Sequence, residues 1–357
     1  MRLNPSDPRA PYYLANLFYD KRQYEEAIRL WEIAVEKDEH YPTAYRNLAI
    51  AYYNKKSDYG KAKDYLEKAH SLDPQDARVL MELDQLYKRL NKSPESRLTL
   101  LEDNLSASES RDDLYLERAA IYNFTGNFSK TYQLIMAHQF HPWEGGEGKV
   151  SGQYVYGLIG QAREYLTLGE FATAIDCLQK AQFYPHNLGE GKLPGIQENE
   201  LYYWMGCAWH GMGDDKLAAT NWQIATAGSS VPNEAVFYND QRPDQIYYQG
   251  LAWKKLKEEK RAEAIFTGLI AYGKAHEKDQ VNIDYFAVSL PDLLIFEDNL
   301  TKRNLLHNQY IMGLGYLGLG QFAEAETLFE NIFQHDAMHF GAKTHLNLLR
   351  SFRSTSE

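Results

Sequence analysis

The stretch GLGYLGLGQFAEAETLF, residues 313–329, decides the fold. Gly313 stands three residues before Tyr316, and Ala325 stands four residues before Phe329. Two antiparallel helices need a small residue where their backbones approach, and an aromatic side chain fills the gap beside it. The stretch therefore predicts a pair of antiparallel helices, with Gly320 between its two halves.

The same offsets recur along the chain. The other good copies are Ala15, Phe18, Ala27, Trp31, Ala34; Ala49, Tyr52, Ala62, Leu66, Ala69, Pro74; Ala162, Tyr165, Gly169, Ala174, Leu178, Ala181; Gly206, Trp209, Gly213, Ala218, Trp222, Ala225; and Gly250, Trp253, Ala262, Phe266. Two further copies, around Tyr87 and around Tyr122, are degenerate. The spacing resembles that of the tetratricopeptide repeat, whose helix pairs must stack to bury both faces. The sequence thus predicts an all-α, right-handed α-solenoid of about eight tetratricopeptide helix pairs, with inserted loops and a C-terminal capping helix.

The composition is that of a folded, acidic protein. Of 357 residues, 44% are hydrophobic and 13% aromatic, and the formal net charge is −11. A nucleic acid or an anionic membrane requires a basic surface, so neither is expected as a partner. The sequence shows neither an apolar leader nor a run of about 18 apolar residues, which predicts a cytoplasmic location. Cys177 and Cys207 fit neither a metal site nor a disulfide framework, and are expected to be buried.

The residues that anchor the second helices show where the periodicity breaks. They are Ala27, Ala62, Ser96, Thr131, Ala174, Ala218, Ala262 and Ala325, at spacings of 35, 34, 35, 43, 44, 44 and 63. Against a unit of about 34 residues, the connections after the fourth to sixth repeats carry about 9 or 10 extra residues, and the last about 29. All four insertions occupy the same kind of turn, so they should line one edge of the solenoid. Long loops of this kind are usually functional.

This periodicity assigns residues 1–140 to repeats 1–4, residues 141–337 to repeats 5–8 with long insertions, and residues 338–357 to a capping helix and tail, all in one continuous solenoid. Residues 3–5 (LNP) match the place of Pro74, which closes the second repeat, and so resemble the tail of an absent repeat. Terminal repeats usually carry a polar cap. Because a candidate cap is found only at residues 338–352, we expect the chain to be part of a longer protein.

Two inserted loops share the motif GEGK, at residues 146–149 and 189–192. A phosphate-binding loop is not expected, because Trp143 stands where its first glycine belongs and Val150 replaces its Ser or Thr. One interpretation is that the glycines only supply positive φ angles in tight turns. In the other, Glu144 and Glu147 are paired carboxylates of the kind used in glycoside chemistry, and Trp143 stacks on a sugar.

The last insertion contains DYFAVSLPDLLIFEDNL, residues 284–300. Ser289 and Asp292 form a capping signal, which predicts a short helix from about Pro291. Leu293, Leu294 and Phe296 are too apolar to stay in water and should pack on the solenoid or on another domain. We expect this insertion, with Tyr285 and Phe286, to form one ordered surface with the Trp143 loop.

Catalytic residues in a recognisable arrangement are missing from the sequence. His335 and His339 are four residues apart but lack the glutamate of a catalytic zinc motif. We expect surface histidines on helices at His138, His141, His186, His210, His335 and His339. The nucleophile elbow and the dinucleotide-binding fingerprint are also absent. We therefore expect this chain alone to have no enzymatic activity, metal or cofactor.

In this repeat the first helices line the groove, which makes the residue three positions before each small residue a candidate for binding. Those residues are Tyr12, Arg46, Leu116, Ile159, Tyr203, Tyr247 and Tyr310. A row of tyrosines suits a peptide or a glycan, because each offers a rigid face and a polar tip; alternatively the rings pack between adjacent first helices. Some chaperone-binding repeats hold a terminal carboxylate with Lys and Asn. Here Asn16, Asn47 and Arg78 match that clamp, but Tyr12 and Glu82 replace its cations, so it is not expected.

The loops WEGGEG (143–148) and DYFAVSLPD (284–292) resemble the C-terminal repeat region of a bacterial family of unassigned function. Its longer members place a mutarotase-like β-sandwich before tetratricopeptide repeats. The resemblance implies carbohydrate handling and an adjacent domain, but identifies no catalytic residue. The first hypothesis is a non-catalytic scaffold that binds a protein, or a domain of the same longer chain, through its groove and loop edge. The alternative is an accessory part of a carbohydrate-active protein, in which the loop from Trp143 to Glu147 completes a glycan site.

Overall fold

A computed structural model of the chain describes residues 6–143, 145–233, 242–281 and 295–354. Within these ranges the chain is all-helical. The helices are α1 Arg9–Asp20, α2 Tyr24–Lys37, α3 Pro42–Ala51, α4 Tyr59–Leu72, α5 Ala77–Arg89, α6 Pro94–Asp103, α7 Leu105–Glu109, α8 Asp112–Phe124, α9 Phe128–Ala137, α10 Lys149–Leu168, α11 Phe171–Ala181, α12 Asn199–Gly211, α13 Asp215–Ala225, α14 Pro243–Lys255, α15 Glu259–His276, α16 Leu300–Gly318, α17 Phe322–His335 and α18 Phe340–Ser354. A π-helical turn, Tyr52–Lys56, extends α3, and a 3₁₀ turn, His186–Leu188, lies between α11 and α12.

Consecutive helices pair into hairpins, as the sequence predicts. The pairs are α1 with α2, α3 with α4, α5 with α6, α10 with α11, α12 with α13, α14 with α15, and α16 with α17. A further pair, α8 with α9, is joined by the Thr131 hydroxyl, which donates to the Ala119 carbonyl at 2.8 Å. The chain forms two compact units: unit 1 is Met1–Arg118 with Leu293–Asp298, and unit 2 is Ala119–Asp292 with Asn299–Glu357. The prediction of an all-α fold with about eight helix pairs is confirmed.

Contacts between small and aromatic residues close the hairpins. A Cβ atom on Gly206 would come within 2.5 Å of the Trp222 ring. A Cβ atom on Gly250 would lie 2.4 Å from the Phe266 ring, and one on Gly313 would lie 2.5 Å from the Phe329 ring. The anchoring alanines Ala27, Ala62, Ala174, Ala218, Ala262 and Ala325 are fully buried. The packing rule inferred from residues 313–329 is therefore confirmed at its best copies.

The third repeat departs from the expected register. Ser96 was expected to replace the anchoring alanine, but it is exposed. The anchoring alanines stand fourth in their helices, and the fourth residue of α6 is Arg97, which is fully buried. Arg97 donates from Nε to Asp84 Oδ1 at 2.9 Å and from Nη2 to Glu117 Oε1 at 2.7 Å. A buried charge is tolerated only when paired, and here α5 and α8 supply the carboxylates that pair with Arg97.

Asparagine side chains anchor three of the long connections. Each donates to two carbonyls at or beyond the end of a second helix: Asn187 to Ile135 at 2.8 Å and His138 at 2.9 Å, Asn199 to Ala225 at 2.8 Å and Ala227 at 2.7 Å, and Asn304 to His276 at 2.8 Å and Asp279 at 3.3 Å. The last carbonyls of a helix have no partner inside it. The amides therefore fix where α9, α13 and α15 end and where the connections begin.

Of the helices described, none is sufficiently long and apolar to cross a lipid bilayer. The two cysteines are free; Cys177 is buried and Cys207 is half-buried. Burial raises the thiol pKa at both positions. A raised thiol pKa disfavours the reactive thiolate.

Candidate functional site

A chain of hydrogen bonds crosses the first helices of unit 1. Asn47 Nδ2 on α3 donates to Asn16 Oδ1 on α1 at 3.2 Å, and the same Asn16 oxygen accepts from Trp31 Nε1 at 2.9 Å. Arg46 donates from Nη1 to Asn47 Oδ1 at 3.2 Å and from Nε to Glu82 Oε2 on α5 at 2.6 Å. We call this surface the Asn–Arg face; it comprises Tyr12, Asn16, Arg46, Asn47, Arg78 and Glu82.

Glu82 is the centre of the Asn–Arg face. Its side chain is fully buried, and it accepts from both Arg46 and Arg78, the latter through Nε at 3.1 Å. The side chain of Arg78 is 62% exposed. Within the described residues, its guanidinium has no bond besides that to Glu82, so both terminal nitrogens stay free. Asn16 Nδ2 likewise has no hydrogen-bond partner there. The face therefore offers fixed donors to an external acceptor.

A second cluster of charges lies in unit 2, where α12 meets the start of α14. Arg242 donates from Nε and Nη2 to the two oxygens of Asp244, at 3.1 and 2.6 Å, and approaches Glu200 at 3.6 Å. Burial, and then the nearby Asp244 charge, raise the pKa of Glu200. Burial also opposes ionisation of Asp244, but Arg242 outweighs it and lowers the pKa of that carboxyl. Opposite pKa shifts in neighbouring carboxyls are a frequent property of functional sites.

Helix α18 supplies a histidine to the same region. His345 Nδ1 lies 2.8 Å from the Gly341 carbonyl and 3.1 Å from Tyr310 Oη, and its ring stands edge-on to Tyr247 at 5.1 Å. Burial lowers the pKa of His345 to about 4, so the ring is neutral near pH 7. Because Gly341 accepts from Nδ1, the Nε2 atom is the acceptor of the ring. The charge of Arg163, on α10, acts on both Glu200 and His345. We call Arg163, Glu200, Arg242, Asp244, Tyr247, Tyr310 and His345 the unit 2 cluster.

The tyrosines singled out from the sequence do not present their rings to solvent. Tyr12, Tyr203, Tyr247 and Tyr310 are all buried, as are Leu116 and Ile159. Tyr203 packs on Tyr248 at 5.4 Å, and Tyr247 and Tyr310 both contact His345. The structure thus brings Tyr247 and Tyr310 together and places Tyr12 separately, in unit 1. This is the packing between helices that the sequence left open as the alternative.

The two GEGK loops meet. Glu190 of the second loop accepts from the Gly148 amide at 2.7 Å and the Ser151 amide at 2.8 Å, and so caps the first turn of α10. Gly189 has a φ of +73°, and a Cβ atom there would lie 2.5 Å from the Phe140 carbonyl oxygen, so only glycine fits. The sequence identified the repeated motif but not this capping, which joins residues about 40 positions apart.

The Trp143 loop is described except for Glu144. The Trp143 ring is half-buried and lies over Gly146, where a Cβ atom would come within 2.3 Å of it. Glu147 is exposed. The expected pairing of Glu144 with Glu147 lies outside the described residues, and the described ones hold no group of His, Cys, Asp or Glu fit for a metal ion.

The end of the last insertion belongs to unit 1. Phe296 is fully buried there, with its ring edge-on to Tyr53 at 4.9 Å, which confirms its expected packing. Asn54, in the π-helical turn, donates to the Ile295 carbonyl at 2.8 Å and accepts from the Glu297 amide at 2.8 Å. The expected helix from Pro291, and Tyr285, Phe286, Leu293 and Leu294, lie outside the described residues.

Stacked helical hairpins with buried small residues against aromatic rings define the fold: an all-α array of helix pairs of the tetratricopeptide type. Residues 15–56 match the family described as TPR repeat. The chain is similar to YrrB, a TPR protein with an unusual peptide-binding site, at 17% identity and a TM-score of 0.37, over 62% of this chain and 95% of that one. It is similar to a tetratricopeptide repeat protein from Parabacteroides merdae at 16% identity and a TM-score of 0.39, over 73% and 91%. It is also similar to the TPR2AB domain of yeast Sti1 in its pHSP90 complex, at 16% identity and a TM-score of 0.33, over 75% of this chain and 91% of that one.

Proposed function

We propose that this chain is a non-catalytic tetratricopeptide scaffold that binds an extended, acidic segment of a protein partner on the Asn–Arg face. The observation that carries the proposal is the free guanidinium end of Arg78, held by buried Glu82 at 3.1 Å. A guanidinium fixed at one nitrogen loses little freedom when its other nitrogens bind a carboxylate.

Asn16 adds a second contact to this mode of binding. Its Oδ1 is held by Trp31 at 2.9 Å and Asn47 at 3.2 Å, which orients the free Nδ2 group. An oriented amide suits a backbone carbonyl of an extended peptide, whereas Arg78 suits an acidic side chain. Because Glu82 already neutralises much of the local positive charge, binding would depend on the geometry of these donors more than on net charge.

Fluorescence anisotropy with labelled peptides tests the proposal. Glutamate-containing peptides should bind the chain, and glutamine versions of the same peptides should bind weakly. Arg78→Ala should weaken binding roughly tenfold, the loss expected for one charged hydrogen bond. Arg29→Ala is the matched control, because Arg29 is 59% exposed on α2 and pairs only locally with Glu26. Equal binding of both peptide sets, or an unaffected Arg78→Ala variant, would rule out this surface.

The inserted edge is the second proposed contact region. The two GEGK loops pack through Glu190, and this supports a common surface that a partner, or another domain of a longer chain, would contact. A glycan is the alternative occupant, because half-buried Trp143 lies next to exposed Glu147. Binding on a glycan array that is lost in Trp143→Ala and kept in Trp253→Ala would favour the glycan.

A further inference from the structure

Arg163, on α10, is the unusual cation of the unit 2 cluster. Its guanidinium lies over the Trp204 ring at 5.4 Å. Within the part of the chain that the structure describes, it has neither an ion pair nor a hydrogen bond, although it is only half exposed. The other arginine of the cluster, Arg242, is fully engaged by Asp244 at 2.6 and 3.1 Å. No carboxylate of a described residue is thus in direct contact with this positive charge, although the charge acts on Glu200.

Two buried polar atoms of the same cluster also lack partners. Tyr247 Oη and His345 Nε2 make no hydrogen bond to any described residue. Tyr247 is 0% exposed and His345 is 1% exposed, and their rings are 5.1 Å apart. Buried polar groups in folded proteins nearly always have a partner, because an unmade hydrogen bond costs free energy. The charge of Arg163 acts on both Tyr247 and His345, so these two atoms and the unpaired arginine form a candidate site for a polar molecule.

The chemistry of the three groups specifies that molecule. Arg163 donates to an anion, and the Tyr247 hydroxyl donates or accepts. His345 Nε2 accepts, since its Nδ1 proton is directed at the Gly341 carbonyl at 2.8 Å. We propose that the unit 2 cluster binds a small hydroxylated carboxylate, with its carboxylate on Arg163 and a hydroxyl group between Tyr247 and His345. Arg163 is half-buried, so the carboxylate of the molecule would bind at the solvent-facing end of the site.

Isothermal titration of the full chain at pH 7 tests the site with three probes of equal carbon number. Gluconate carries both a carboxylate and hydroxyls, hexanoate only the carboxylate, and sorbitol only the hydroxyls. Gluconate should bind at millimolar concentration or below, and each of the other two at least roughly tenfold more weakly.

Two variants separate binding from folding. Arg163→Met should lower the affinity for gluconate roughly tenfold or more. Arg261→Met is the matched control and should change nothing, because Arg261 stacks on Trp253 at 4.4 Å outside the cluster. Tyr247→Phe removes an unpartnered hydroxyl, so it should weaken gluconate binding without lowering the melting temperature of the free protein.

Several results would overturn the proposal. One is absence of gluconate binding to the wild-type chain, and another is equal affinity for all three probes. An Arg163→Met variant that binds gluconate like the wild type would do the same. A lower melting temperature of free Tyr247→Phe would mean that ordered water already satisfies the hydroxyl, and would also contradict the site. Unit 1 peptide binding is unaffected by any of these outcomes.

Discussion

Unit 1 and unit 2 are built from the same helical hairpin, but they use their first helices differently. In unit 1 the first helices carry a polar network in which Asn47, Arg46 and Glu82 link α1, α3 and α5. In unit 2 three of the four positions that correspond to Arg46 are the tyrosines Tyr203, Tyr247 and Tyr310, and His345 from α18 is buried between the last two. The repeat motif therefore fixes the hairpin and leaves its first-helix face free to become either a surface or a core.

The second helices differ as well. Unit 2 keeps a small residue at the fourth position of each second helix, such as Ala218 and Ala325, both fully buried. Unit 1 replaces it once, with buried Arg97, and pairs that arginine with Asp84 and Glu117. Truncating a side chain in hydrophobic packing costs free energy in proportion to the atoms removed. Removing one partner of a buried ion pair costs more, because the other charge stays buried without compensation.

The largest effect is expected at Arg97. Arg97→Ala would leave the Asp84 and Glu117 carboxylates, now 2.6 and 2.7 Å from its guanidinium, without that partner. Removing one partner of a buried ion pair costs about 3–5 kcal/mol of unfolding free energy. Urea denaturation measures the loss, and hydrogen exchange should place it in unit 1. Arg29→Ala, at an exposed pair, should change the unfolding free energy little. A much smaller loss of unfolding free energy would mean that the ion pairs of Arg97 with Asp84 and Glu117 do not stabilise the fold.

Unit 2 should respond to acid through His345. Its pKa is about 4 in the folded chain against 6.5 for the free side chain, so the unfolded chain binds more protons below 6.5. The unfolding free energy should therefore fall as pH drops from 6.5 through 4, by about 3 kcal/mol from this group. Asp244, Arg163 and Arg242 are the charged groups that act on it.

Urea denaturation between pH 7 and pH 4 measures this slope. His345→Gln should flatten it, although half-buried His339, whose pKa is also lowered by burial, would keep part of it. His335→Gln, which removes an exposed histidine at the end of α17, is the control. An equal slope in all three proteins would contradict a buried neutral His345.

The hairpins could be predicted from the sequence because their determinants are local. Gly313 and Phe329 belong to adjacent helices, so a fixed spacing is enough to identify their contact. The register of the third repeat could not be predicted in this way. Ser96 looked like the small residue, but the true position holds Arg97, which is compatible with burial only because carboxylates from α5 and α8 reach it.

The candidate sites were only partly predictable. The tyrosine row identified Tyr247 and Tyr310, but not His345 of α18, whose ring contacts both of them. Arg163, Glu200 and Arg242 carry no motif, and they form a cluster only after several hairpins have stacked. The Glu190 cap and the asparagine anchors likewise join residues far apart in sequence, which spacing cannot indicate.

The smallest effect, and the sharpest test of register, compares Ala325→Leu with Ser96→Leu. Ala325 is fully buried in α17, so a leucine there must displace neighbouring helices at a cost of about 1–3 kcal/mol. Ser96 is exposed beside Arg97, so a leucine should change the unfolding free energy by less than about 0.5 kcal/mol. Urea denaturation of both variants gives the comparison. Equal losses would place Ser96 inside the hairpin contact and restore the register expected from sequence. A loss only in Ala325→Leu would support the difference between the units, because unit 2 depends on small residues where the third repeat of unit 1 depends on charge.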